Sequence, residues 1–550
     1  MSTAIPDPLA IELWLEILSY LPRAVRRWMI GVSRALFELA LDDIYEEVRV
    51  CAGDEKSLFA VTQLQYVFYF LLTALLFLFK LRHLKFRHVN LARRVRRVVV
   101  AVHPHLPRKR ELPTQPRVSA TNCHSSPKSI TRPNISDQDQ STKGQDSSAQ
   151  LFSIARHTLK SCCNIRDLEL VVNDASLQPC FMSFLKSLWH SESIGPRIRK
   201  LDIKATAVNL SALFELMSVY RLSYPLINIE NLDLSFCHLH PYIDDGTINY
   251  FHIASFLSAL EPSLLSFTVS GYLHPHLLGL LKVSSTFTRL QKLELHSIFN
   301  IQDLQQVAPL DKFIARHAET LEHIIIDPQT RESGSDLSSR LFVQWLSNDA
   351  AFSQQQLSNL RILELAYHHH WAYPYSHLST SMFPNLNQIS PNLTTLFIAR
   401  IELHFDTIAD LLARVPRQNG VCSIRSLKLH IDILTPKLMD LLTRNLPYLN
   451  SLEMHVSCAS EHLEDSAPEQ YLFCKRIRER KYPSWALQYL RITSASSCSK
   501  PHPNICIVEA VASTLSTTVV LGLGYDCLCR PSLTSVGNPS SSASVIRRPP

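Results

Sequence analysis

One pattern recurs along most of this 550-residue chain: an apolar residue, two further positions, an apolar residue, one further position and a third apolar residue. It occurs at Ile165-Leu168-Leu170, Ile198-Leu201-Ile203, Ile229-Leu232-Leu234, Leu264-Phe267-Val269, Leu290-Leu293-Leu295 and Leu321-Ile324-Ile326. It continues at Leu360-Leu363-Leu365, Leu393-Leu396-Ile398, Ile424-Leu427-Leu429, Leu449-Leu452-Met454 and Leu487-Leu490-Ile492. Leucine-rich cores produce single matches by chance, but eleven at steps of 25 to 39 residues constitute a repeat. Each match ends in a short alternating run, which is strand chemistry. Between matches lie stretches with helical spacing, among them Phe181-Phe184-Leu185-Leu188, Leu210-Leu213-Phe214-Met217, Ile253-Phe256-Leu257-Leu260 and Ile408-Leu411-Leu412-Val415. Strand, turn, helix and turn make one unit whose apolar face is covered only by the next copy, so an α/β chain of stacked repeats is expected.

The pattern resembles leucine-rich repeats of the longer, strand-plus-helix kind, over roughly residues 160 to 495, although the inner Asn or Cys of that family's pattern is mostly missing. The resemblance implies a solenoid with the strands lining a concave, ligand-binding face. Alternation sends the residue between the last two apolar positions out to that face. In order these are Glu169, Asp202, Asp233, Thr268, Glu294, Ile325, Glu364, Phe397, Lys428, Glu453 and Arg491. The first five include four acids and no base, so the expected target-binding residues are Glu169, Asp202, Asp233, Glu294, Glu364 and Phe397, facing a basic segment of a protein partner. Solvated strand positions also favour charge for solubility alone.

Composition divides the rest. Residues 104–150 hold Pro107, Pro113, Pro116, Pro127 and Pro133 among Ser, Thr, Gln and Asn; such a stretch buries too little to offset its ordering entropy and reads as a disordered linker. Residues 500–550, ending in Arg547-Arg-Pro-Pro, read as a flexible tail, leaving 151–499 for the solenoid. Before the linker, 51–103 holds an apolar helix and a possible first repeat at Val95-x-x-Val98-x-Val100.

Residues 1–50 differ in kind. Leu9, Leu13, Ile17, Leu18 and Leu21 recur at three- and four-residue steps, with Asp7 as N-cap, Pro8 at the first helical position and Pro22 as the stop. A second apolar face runs through Met29, Val32, Leu36, Leu39 and Ala40. Helices this small require a partner surface. The segment resembles the F-box: Leu9-Ala-Ile-Glu12 stands at that family's Leu-Pro-x-Glu, followed by Ile17-Leu18, Tyr20-Leu21-Pro22, Val32-Ser33-Arg34 and Leu39-Ala40. Ala10 replaces the family's proline, and Arg26-Arg27 stand where leucines are common. The resemblance implies docking on the Skp adaptor, and through it a cullin, by Leu9, Leu13, Ile17, Leu18, Leu21, Pro22 and Val32. The chain would then be the non-catalytic substrate-recognition subunit of a Skp–cullin–F-box ubiquitin ligase, with a protein target on the repeat face. A helical cap of the repeat stack is the plainer alternative.

One segment competes with that reading. Ser57–Phe79 is 23 residues without a charge, and from Lys56 to Arg110 there are twelve Lys or Arg and no acid. A bilayer span is the alternative, giving a single-span membrane protein with a cytosolic repeat domain. Gln63 and Gln65 shorten its apolar centre, and a buried helix leading into the first repeat is the better account. Asp7 and Glu12 interrupt the opening apolar stretch, so no signal peptide is expected, and a cytoplasmic or nuclear location follows.

With only 12 glycines, no GxGxxG, Walker or GxSxG motif occurs, and HExxH is absent. The thirteen cysteines form no paired CxxC motifs and read as reduced thiols. His368-His-His370 and the spaced pairs His103/His105, His238/His240 and His274/His276 lack a second ligand set at zinc-like intervals. No metal, cofactor or catalytic constellation is therefore expected. Arg93-Arg94 and Arg96-Arg97 come without an aromatic platform, so a solvated repeat edge is expected there rather than a nucleic-acid site.

Overall fold

All thirty-three apolar residues of the eleven triplets are buried. The computed structural model describes residues 46–52, 93–102, 138–160, 162–172, 177–189, 194–219, 228–236, 250–273, 286–299, 308–327, 356–366, 383–418, 420–459, 470–494, 503–515 and 520–522, together with Tyr20, Ser191, Leu281 and Trp345. The chain is α/β and divides into two units, Met1–Ala259 and Leu260–Pro550.

In the first unit five strands pair in parallel in chain order: β1 (Glu47–Ala52), β2 (Arg97–Val102), β3 (Asp167–Val172), β4 (Lys200–Ala205) and β5 (Asn231–Phe236). Helices α1 (Gln138–Leu159), α2 (Pro179–Trp189), α3 (Ala207–Val219) and α4 (Tyr250–Ala259) accompany them. The middle apolar residues stand in one row, Val48 opposite Val98, then Leu168, Leu201 and Leu232. A one-residue slip would exchange the buried and outward faces, so the apolar spacing fixes the register. The helix faces expected from sequence are buried as well, and Phe214 of α3 stacks on Phe256 of α4 with ring centroids 4.3 Å apart.

The second unit repeats this arrangement with β6 (Ser266–Leu273), β7 (Lys292–Phe299), β8 (His323–Ile326), β9 (Ile362–Ala366), β10 (Thr395–Leu403), and a two-stranded antiparallel hairpin, β11 (Arg417–Gln418) and β12 (Val421–Cys422). Gly420 turns that hairpin at φ 80°, a conformation open to glycine. Next come β13 (Ser426–Leu434), β14 (Ser451–Ala459), β15 (Tyr489–Ser494) and β16 (Val520–Gly522). Hairpin apart, the strands pair in parallel in chain order, with Phe267, Leu293, Ile324, Leu363, Leu396, Leu427, Leu452, Leu490 and Leu521 in one row. The helices are α5 (Ala308–Arg316), α6 (Leu386–Ile389), α7 (Phe405–Arg414), α8 (Pro436–Asn445), α9 (Gln470–Arg478) and α10 (Pro503–Ala512).

Polar contacts tie each repeat to the one before. Within each unit, from β1 to β5 and from β6 to β15, the carbonyl at each strand start accepts two backbone N–H groups from the next strand of the main sheet: Arg166 O takes Arg199 N at 2.7 Å and Lys200 N at 3.0 Å, and Glu322 O takes Arg361 N at 2.8 Å and Ile362 N at 3.0 Å. Asn164, Asn228, Asn359 and Asn392 immediately precede a triplet, and each donates its Nδ2 to a turn carbonyl of the preceding repeat, those of Arg93, Pro196, Glu319 and Ser358. These asparagines satisfy backbone carbonyls that the turns leave over. On the helical side, Arg480 Nε donates to both Asp440 oxygens at 3.1 Å, Tyr482 Oη donates to Asp440 Oδ1 at 2.7 Å, and Trp485 Nε1 donates to Leu446 O at 3.0 Å.

Three boundaries differ from expectation. Helix α1 begins at Gln138, inside the stretch assigned to the linker, because its C-terminal half buries Leu151, Phe152, Ala155 and Leu159 and sets the Phe152 ring 5.5 Å from Phe181 and 5.3 Å from Phe184. Residues 104–137 lie outside the described ones. The tail contains a further helix and strand: α10 buries Ile507, Ala510 and Val511, and β16 pairs with β15. Polar Thr518 stands where the triplet's first apolar residue belongs, which hid the match. Strand β1 crosses the boundary set at residue 50, with Val48 and Val50 buried. The docking residues Leu9, Leu13, Ile17, Leu18, Leu21, Pro22 and Val32 lie outside the described residues, as do Ser57–Phe79 and the paired and clustered histidines named above. Among the described residues no helix is long and apolar enough to cross a membrane.

Candidate functional site

In the first unit, in-register pairing brings Glu169, Asp202 and Asp233 side by side on β3, β4 and β5. Strands about 4.8 Å apart would leave three adjacent carboxylates repelling one another. Two cations relieve part of this. Arg97, from β2, bonds Glu169 and lies 3.3 Å from Glu47 Oε2; Lys204 Nζ donates to Glu169 Oε1 at 2.8 Å and stands 3.7 Å from Asp202 Oδ2. Burial disfavours the charge on Glu169, but hydrogen bonds from Lys204 and Arg97 outweigh it and hold the carboxyl below its ordinary range. Asp202 is raised by burial, with Lys204 opposing and Glu169 reinforcing, and its Oδ1 is buried without a hydrogen bond. Burial and then the charge of Asp202 push Asp233 up to about 6, even though Ser235 Oγ donates to it at 3.3 Å. Within the expected acidic stripe, Glu169 is thus held between two bases, and the less neutralised acids are Asp202 and Asp233.

In the second unit Thr268, Glu294, Ile325, Glu364, Phe397, Lys428, Glu453 and Arg491 form the corresponding row. Glu294 and Glu364 are separated by Ile325, and Glu364 faces Phe397 directly. Glu294 bonds Lys292 and receives His296 Nε2 at 3.3 Å; His296 Nδ1 lies 3.3 Å from Asp327 Oδ2. The His296 hydrogen bond, against burial, takes Glu294 down to about 2, and the bonds from Asp327 and Glu294 take His296 up to about 9. Glu364 is raised by burial, partly offset by Lys428 and His296. Farther along the row Lys428 and Arg491 flank Glu453 at 3.8 and 3.9 Å.

Beside this row β10 bulges: Ile398 faces Leu429, but Leu403 faces Ile431, so four residues oppose His430 alone. His430 is only 3% exposed although it belongs to the outward face. Its ring meets His455 edge-on at 4.6 Å; Ser457 Oγ donates to Glu402 at 2.7 Å, and His455 Nδ1 bonds Thr493 Oγ1 at 2.7 Å. Among the described residues, no group of three His, Cys, Asp or Glu side chains is arranged to hold a metal ion. What the row offers chemically is recognition, by charge and shape, of something laid across the strands.

Sequence reasoning missed Arg97, Lys204, His296 and Asp327. Arg97, Lys204 and His296 follow the same alternation as the named acids, one outward step before or after the central position, which is the signal that would have found them.

The His296 clamp has a testable pH signature. A histidine raised in the folded state contributes most below its ordinary value near 6.5 and loses that contribution as pH rises through about 9. Urea denaturation at pH 6 and pH 9 is expected to show the wild type losing about 1–2 kcal/mol more than His296→Gln over that interval. Equal losses in the two proteins would show that the clamp carries no net stability.

Compared with known proteins, the sequence matches no family model and no curated protein.

Proposed function

We propose that the chain is an interaction protein of the F-box and leucine-rich-repeat kind. In this reading its first fifty residues hold a Skp adaptor, and through it a cullin, while the outward strand faces hold a protein target for ubiquitin transfer. The observation that carries the proposal is the in-register repeat itself. Within each unit, each strand of the parallel sheet contributes one central outward side chain to a row, a surface suited to reading an extended partner. The N-terminal spacing of Leu9, Leu13, Ile17, Leu18, Leu21 and Val32 supplies the second half of the reading.

In this role the chain breaks no bond. It raises the target's effective concentration beside the conjugating enzyme, and its place is the cytosol or nucleus, where adaptor and cullin reside. The partly neutralised row favours a target segment carrying one or two bases opposite Asp202 and Asp233, rather than a long basic run.

Leu18→Asp tests the adaptor half. Placing a charge on the apolar ridge is expected to abolish co-purification of the Skp adaptor with the full chain, since loss of an apolar anchor commonly costs about 2 kcal/mol or more. Undiminished adaptor recovery with Leu18→Asp overturns the assignment.

A further inference from the structure

Five large apolar side chains stand exposed among the described residues, and two of them, Val421 and Tyr448, belong to neighbouring turns of the second unit. Helices α7, α8 and α9 each end shortly before β13, β14 or β15 begins, so the three connecting turns share one edge of the sheet. The first turn carries the hairpin, in which Arg417 faces Cys422 and Val421 follows the Gly420 turn, 38% exposed. Arg417 donates from Nη2 to Asn445 Oδ1 at 3.0 Å, which ties the hairpin to the end of α8. Arg425, just before β13, holds its guanidinium carbon 5.0 Å from the centroid of the Tyr448 ring and donates to Tyr448 O at 3.1 Å. Burial raises the Cys422 thiol, and Arg417 and Arg425 both stand close enough to oppose that rise. The turn after α9 joins the same edge, because Trp485 Nε1 bonds Leu446 O and Ala486 N bonds Pro447 O, each at 3.0 Å. Its exposed cations are Arg417, Arg425, Arg444, Arg478 and Lys481. Asp410 is already paired with Arg414 at 2.9 Å and Asp440 with Arg480 at 3.1 Å, while Glu479 is exposed beside Arg478. The side chains of Arg444, Arg478 and Lys481 make no ion pair or hydrogen bond among the described residues.

Helix macrodipoles account for cations at the ends of α8 and α9. They do not account for Arg417 or Arg425, which stand outside helices, nor for the exposed valine and tyrosine beside them. We propose that this edge is a peripheral membrane contact, seating Val421 and Tyr448 among the headgroups of an anionic leaflet whose charge the five cations meet. The chemistry fits. Tyrosine favours the membrane–water interface, where its ring leaves water and its hydroxyl does not, and the valine adds apolar area to bury. Each Lys or Arg held close to an anionic leaflet tightens attachment about fivefold. Other occupants fit less well. Two apolar side chains are too few for the desolvated centre of a protein interface, which buries about 800 Å² on each partner. Bases of a single strand stack on aromatic faces, and Arg425 already covers one face of Tyr448. The contact requires neither a bilayer span at Ser57–Phe79 nor the adaptor and target of the proposed function.

The test is co-sedimentation of the full chain with phosphatidylcholine vesicles, with and without about 30% phosphatidylserine. The charged vesicles are expected to bind at least about tenfold more tightly at about 0.1 M NaCl and to lose most of that advantage at about 0.5 M. The combined variant Arg444→Glu, Arg478→Glu, Lys481→Glu is expected to abolish the preference while keeping the far-UV circular dichroism of the wild type. Should it fail to fold, Arg444→Glu alone takes its place, with an expected loss of about fivefold or more. Val421→Asp, at one exposed position of the hairpin, is expected to weaken attachment to the charged vesicles by about fivefold. Equal binding to the two kinds of vesicle, a preference that survives the charge substitutions, or no loss with Val421→Asp each overturns the proposal. So does tighter binding of a single-stranded RNA of about 20 nucleotides or of polyglutamate that the charge substitutions abolish, which would reassign the edge to nucleic acid or to an acidic protein. Because the readout involves no adaptor, failure here leaves the Leu18→Asp result to stand or fall alone.

Discussion

Leu363→Asp is expected to unfold the second unit's centre, with a loss of at least about 4 kcal/mol in urea denaturation at pH 7. Leu363 is fully buried, and its register partners on either side are Ile324 and Leu396, both fully buried too. A carboxylate there meets no donor. It must either carry its charge into an apolar row or take up a proton at neutral pH, and both are costly. The adjacent residue gives the contrast. Glu364, one position along β9 and on the opposite face, already has its charged form disfavoured by burial. Glu364→Gln is therefore expected to change stability by less than about 0.5 kcal/mol, or to raise it. If Leu363→Asp proves as mild as Glu364→Gln, the alternation that assigns the two faces is wrong.

Trp485→Ala comes next in size, at about 4–5 kcal/mol. Truncating a large buried aromatic costs about 3–5 kcal/mol through transfer and cavity effects. Trp485 is 1% exposed, stacks edge-on with Tyr482 at 6.0 Å, and closes the C-terminal carbonyl of α8 through its hydrogen bond to Leu446 O. Losing that bond leaves the Leu446 carbonyl with the Leu449 N–H alone, at 3.2 Å, and adds about 0.5–1 kcal/mol. Trp485→Phe keeps most of the volume and loses the donor, so it should recover the larger part. A phenylalanine variant as unstable as the alanine variant would mean that the hydrogen bond, rather than the packing, dominates.

How far the sequence foretold this depends on the range of the interaction concerned. The apolar triplets are local, and their spacing placed every middle residue in its row, Leu168 through Leu490. The valines Val98 and Val100 extended the same reading to β2. What escaped was either masked by composition or made by distant residues. The Ser- and Gln-rich first half of α1 concealed a helix whose burial rests on Leu151, Phe152, Ala155 and Leu159. In the acidic row, Glu169 was visible as an outward residue, but Arg97, 72 positions away, was not visible as its partner. His317 shows the same limit: it is 1% exposed, with Nδ1 bonded to Phe313 O at 2.7 Å and Nε2 accepting from Phe287 N at 2.9 Å. Nothing in the spacing around it distinguishes that structural histidine from a surface one. The β10 bulge likewise leaves no trace in the apolar pattern, since it lengthens a strand beyond its triplet.

The doubly accepting carbonyl at each strand start has an evolutionary consequence. Because that joint uses only main-chain atoms, it places no demand on the length of the segment that loops away and returns. Segments with steps as different as 25 and 39 residues rejoin the sheet at the same joint. Insertions can therefore accumulate between strands without disturbing the surface the strands present, and a whole period can be gained or lost by duplication. A frame slip of a single amino acid within a strand is what this architecture does not forgive.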